Sequence, residues 1–148
     1  MTAFETFVKD EKRAASEKGA FNASERIEKF KCVVQGFYKK VETEWLKPFI
    51  DKGDITINRF PVTIFEERLG GYQIDAETFS IGGKRFQLTP IGIILIGTDA
   101  RIDITFGSKS LMIIRKGRIW NQVVPDQKIR LIPLDAETFQ RMIMELAK

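Results

Sequence analysis

Histidine is absent from all 148 residues, and that gap removes the side chain that most often moves protons and ligates metals near neutral pH. Without it no Ser-His-Asp or Cys-His nucleophilic site can be built, and no histidine-based pH switch. Cysteine occurs once, as Cys32. A single thiol forms no internal disulfide, cannot supply a zinc site without histidine beside it, and fits a reducing compartment. Long apolar runs are also missing. The longest, Ile91 to Ile96, is interrupted by Gly92 and falls far short of the roughly 20 residues that a membrane-crossing helix needs. The opening segment, Met1 to Glu11, carries acids early and has no continuous apolar stretch, so no secretory signal and a cytoplasmic location are expected.

What is present is ordinary globular material, with 43% hydrophobic and 30% charged residues, and the length predicts one domain. A chain of this size buries about two-thirds of its unfolded surface, so folding requires neither disulfide nor metal. Net charge is +4, but 24 basic against 20 acidic residues make a mixed surface. The positive excess is C-terminal: from Arg101 onward nine basic residues accompany five acidic ones.

Periodicity divides the chain into layers. Residues 3–18 have helix-forming composition, with Gly19 placed as a C′ residue. A second helix opens at Asn22, paired with Glu25 as a capping box, and carries Ile27, Phe30, Val33, Val34, Phe37, Tyr38, Val41 and Trp45 at three- and four-residue steps. Pro48 is expected to end it near Lys47. The two helices together predict an αα-hairpin within residues 1–50.

After Gly53 the apolar period changes from about 3.6 to 2. Strands are expected at 55–60, 62–67, 72–77, 85–89, 91–96, 101–106, 111–115, 119–124 and 129–132. Turn residues such as Gly70-Gly71, Gly82-Gly83, Gly107-Ser108, Lys116-Gly117 and Pro125-Asp126 separate them, and connections this short mean antiparallel hairpins. Ile91 to Ile96, apolar on both sides, is expected to be central. Asp135 as N-cap, Glu137 in the first turn, and Phe139, Met142, Ile143 and Leu146 at helical spacing predict a closing helix over 135–147. The class is α+β: a helical hairpin packed on an antiparallel meander of seven to nine short strands over 54–133, as a sheet or open barrel, closed by a C-terminal helix.

No motif identifies a reaction, and the balance leans away from an enzyme. The basic hairpin is the first binding candidate: Arg115, Lys116 and Arg118 beside Trp120, with Lys128 and Arg130 further on, combine phosphate-binding charge with a stacking ring. The bland account is a solvated hairpin tip above a core tryptophan. Phe37, Tyr38, Trp45 and Phe49 form the second candidate, an aromatic face for a protein partner or a second copy, unless they fill the core. Glu66, Glu67, Asp75, Glu77, Asp99 and Asp103 are the carboxylates from which acid/base chemistry would be drawn, and nothing in their spacing makes them converge. Gly82-Gly83-Lys84 precedes a strand and not a helix, so it reads as a tight turn and not a phosphate loop. No cofactor or metal is implied. These features favour a protein-binding module, such as a small bacterial accessory or immunity-type protein. A nucleic-acid or anionic-surface binder is the alternative, and a carboxylate enzyme comes third.

Overall fold

Thr2 starts the first helix with both halves of a capping box: its Oγ1 accepts from the Glu5 backbone N–H at 3.1 Å and the Glu5 carboxylate accepts from its own N–H at 3.4 Å. The structure, a computed structural model, describes residues 2–67, 69–93 and 99–148, and of residues 17–22 the backbone only. From this cap α1 runs without interruption over Ala3–Lys40. The turn expected at Gly19 to Phe21 is therefore not made, and Asn22 lies inside a helix instead of capping one. A lone glycine costs a helix interior only about 1 kcal/mol, and with no proline nearby the flanking helix formers carry the chain through.

The junction between the N-terminal helical segments lies further on. A π-helical turn at Val41–Trp45 follows α1, closed by the Leu46 N–H donating to the Val41 carbonyl at 2.9 Å, and α2 spans Lys47–Asp51. Pro48 opens α2 and does not end a helix, because the first turn has no use for its missing N–H.

Among the described residues seven strands follow: β1 Ile55–Glu66, β2 Gly70–Ile81, β3 Lys84–Gly92, β4 Ala100–Phe106, β5 Lys109–Lys116, β6 Ile119–Val124 and β7 Arg130–Pro133. They pair antiparallel in sequence order, with β1 and β7 at the margins. Two strands expected at 55–60 and 62–67 are one, because the ladder continues through Pro61 opposite Asp75. An edge strand turns alternate N–H groups away from its neighbour, and proline is tolerated there. Gly70-Gly71 belongs to β2 instead of a turn. The strand expected at 91–96 is not separate: β3 takes in Ile91 and Gly92, and residues 94–98 lie outside the described ones. α3, Ala136–Leu146, closes the order, capped by Asp135 accepting from the Thr138 N–H at 2.8 Å.

One face of the sheet carries Ile55, Phe79, Phe86, Leu88, Ile102, Ile104, Ile113 and Trp120, all buried and in register across six strands. The C-terminal part of α1 and α3 cover it, so Phe37, Trp45 and Phe139 meet Phe79 and Trp120 in one aromatic core. On the β1–β2 hairpin the buried register changes between Arg59 and Phe60 and between Ala76 and Glu77. Its outer half turns the other face inward, where Tyr72 meets Phe30 edge to face.

Candidate functional site

The basic hairpin does not assemble the site its sequence suggests. Trp120 is 6% exposed and packs on Phe37, so no nucleobase reaches its ring. Arg115 is tied to Asp99 at 3.5 Å. Lys116 and Arg118 stay exposed at the β5–β6 tip, where Gly117 and Arg118 both take positive φ, 58° and 67°, as a two-residue hairpin turn requires. Lys128 and Arg130 lie at the other end of β6, roughly 20 Å away at strand rise. The six residues named from sequence thus fall into two separate places, and one of them is core.

The aromatic face named from sequence is mostly inside the fold. Phe37, Tyr38 and Trp45 are buried in the protein's own interior, and Phe49 is partly open. Tyr38 donates its hydroxyl to the Asp75 carbonyl at 2.6 Å, fixing α1 to β2. Burial, with the nearby Glu77 charge, pushes its phenol well above the usual tyrosine range.

Among the carboxylates, Glu77 is the unusual one. It is fully buried, its Oε2 accepts from Arg59 Nε at 3.0 Å, and Arg59 also donates to Glu42 at 2.9 Å while lying over the Tyr38 ring at 5.2 Å. Glu77 Oε1 meets no donor. Burial first, and the Glu42 charge second, outweigh Arg59 and raise the Glu77 carboxyl to about 8. A proton on Glu77 lets it donate towards Glu42, which resolves two carboxylates sharing one guanidinium. Through Arg59, Glu77 of β2 is tied to Glu42 of the π-helical turn and to Tyr38 of α1, so this cluster fixes the helical segments to the sheet.

The other acids are engaged or solvated. Glu66 accepts from the Ile93 N–H at 2.9 Å and from the Tyr72 hydroxyl, and a Cβ at Gly92 would collide with its carboxylate. Asp103 holds Arg101 through both oxygens at 2.9 and 3.0 Å, and Glu67 is exposed. Among the described residues no group of three or more metal-ligating side chains converges, and Cys32 is exposed on α1. Gly82-Gly83 makes the tight β2–β3 turn, with Lys84 opening β3.

No family model, curated protein or solved structure matches this chain. The surfaces left open therefore carry the functional argument. Two of them are not grouped as surfaces in the sequence, although Lys128 and Arg130 of the second are among the residues named there.

The first is the leading half of α1. Every side chain from Ala3 to Ser16 is exposed, and about 40 Å of helix precedes Phe30, the first buried one among its described side chains. Phe4, Phe7 and Val8 are 73, 59 and 42% exposed. At 3.6 residues per turn, Phe4, Phe7, Val8, Ala14 and Ala15 form a stripe roughly 105° around the helix from that of Phe30, Val34, Phe37 and Val41. The angular offset was the available signal: two stripes on one helix cannot serve the same core. No helix among the described residues is long and apolar enough to cross a membrane.

The second is one edge of the sheet. Sequential antiparallel pairing places the β2–β3, β4–β5 and β6–β7 turns on the same edge, about 10 Å from one to the next. Lys84 and Arg85, Lys109, and Lys128 and Arg130 stand there, with Lys52 just before β1.

Proposed function

We propose that this protein is a non-enzymatic protein-binding module that pairs with a second copy of itself through the leading half of α1. The observation that supports this is the stripe of Phe4, Phe7 and Val8, exposed on a helix whose side chains from Ala3 to Ser16 are all exposed. A solvated helix is marginal in water, and most helical stability in proteins comes from burying an apolar face.

Charge favours a protein helix over lipid as the cover. Residues 3–18 carry Glu5, Asp10, Glu11 and Glu17 against Lys9, Lys12, Arg13 and Lys18, a balanced set. A helix lying on an anionic bilayer carries a cationic excess, whereas balanced charges flanking an apolar stripe suit a second helix of the same sequence. Two Phe-lined stripes packed together remove six large side chains from water, each worth roughly 1.5–3 kcal/mol when fully buried. Paired modules present two copies of every other surface, which suits an accessory or immunity-type protein that acts by occupying a partner.

Light scattering after size exclusion tests the reading. A dimer mass is expected for the native chain, and a monomer mass for the Phe4→Ser/Phe7→Ser variant with unchanged tryptophan fluorescence. A monomer mass for the native chain at every concentration would overturn it.

A further inference from the structure

We propose that the sheet edge formed by the β2–β3, β4–β5 and β6–β7 turns docks on a bilayer surface rich in anionic phospholipid. Six cations, Lys52, Lys84, Arg85, Lys109, Lys128 and Arg130, stand along it against three carboxylates, Asp51, Asp54 and Asp126, and Lys47 holds Asp51 at 2.7 Å. Among the described residues none of the six cations is in an ion pair. Lys84 lies over the Phe106 ring at 5.3 Å, and Lys109 donates to the Lys148 carbonyl, which brings the end of α3 to the same edge. Apart from these two contacts, the six cations face solvent.

Apolar groups accompany the charge. Ile129, between Lys128 and Arg130 on the β6–β7 turn, is 74% exposed. At the corner where β1 begins and β2 ends, Phe49, Ile55, Ile81, Ile143 and Met144, with Asp54 and Gln140, line a largely apolar groove of about 240 Å³, and Lys84 pairs with Ile81 across the β2–β3 ladder. Aliphatic side chains among Lys and Arg suit the boundary between headgroups and acyl chains, where cations meet phosphate and aliphatic groups enter hydrocarbon. A single-stranded nucleic acid is held by exposed rings on which its bases stack. Along this edge the aromatics are Phe106, already beneath Lys84, and Phe49 in the groove. The chemistry selects lipid.

Vesicle flotation with the full chain tests this, using neutral phosphatidylcholine vesicles and vesicles containing one-quarter phosphatidylglycerol, at low and high salt. Binding is expected to the anionic vesicles alone and to weaken with salt. The variants Lys84→Glu/Arg85→Glu and Lys128→Glu/Arg130→Glu are each expected to reduce it at least tenfold, and Ile129→Asp to reduce it severalfold, with unchanged circular dichroism. Lys116→Glu/Arg118→Glu, at the opposite edge, keeps full binding. The proposal is overturned by equal binding to neutral vesicles, by no vesicle binding, or by equal loss in the Lys116/Arg118 variant. It is also overturned by retention of single-stranded RNA or of monomeric decyl phosphate without vesicle binding.

Discussion

Trp120 packs its indole on the ring of Phe37, with 4.6 Å between centroids and the planes tilted by 58°. Phe37 belongs to α1 and Trp120 to β6, and Phe37 also meets Phe139 of α3 at 6.3 Å. The first helix, the sixth strand and the last helix are therefore joined at one point in the core.

Replacing Trp120 with alanine is expected to destabilise the fold by about 3–5 kcal/mol, the usual cost of removing a buried large aromatic. Urea denaturation checks this. An exposed stacking residue would change stability by less than about 0.5 kcal/mol, so a near-neutral result would return Trp120 to the surface.

The Glu77 carboxyl, raised from its usual 4.5 to about 8, makes stability depend on pH with a definite sign. In the fold Glu77 keeps its proton up to about 8, whereas the unfolded chain releases it near 4.5. The folded state thus binds more protons in that window, so this contribution is full below 4.5 and fades as pH rises through 8. The native chain is expected to lose on the order of a few kcal/mol between about pH 5 and about pH 8, and Glu77→Gln to lose less. Thermal melts of both proteins across that range measure the difference. Parallel curves would place the titration elsewhere.

Gly19 lies inside a continuous helix, so Gly19→Ala is expected to raise helicity and to stabilise α1 locally by about 1 kcal/mol. At a helix C′ position the same change would cost stability, because alanine resists the left-handed conformation found there. Far-UV circular dichroism of the two proteins separates these outcomes.

The layer order was readable because period and punctuation agreed. The shift to alternating residues after Gly53, the glycines of the turns near 82, 107 and 117, and Asp135 ahead of Phe139 each fix an element by local chemistry. Boundaries failed where tertiary context decides. Nothing near Pro61 shows that its strand is at a margin, and Gly19 looks like a stop only until the helix formers on either side are weighed against it. The candidate sites were less legible. Basic residues adjacent in sequence were separated because a strand carries its two ends apart, while Lys84, Lys109 and Lys128, distant in sequence, share an edge because alternate turns of a meander do. Whether an aromatic on α1 is core or surface depended on which stripe the sheet covers, and that is settled by packing.

Pro61 has a consequence for how copies of this protein can meet. A margin strand with a proline at its middle cannot offer an unbroken row of backbone donors to an incoming ribbon, so growth of the sheet past β1 into a fibril or a strand-swapped assembly is blocked at that point. Association on that side is left to side chains, which can be altered one at a time without disturbing the backbone ladder.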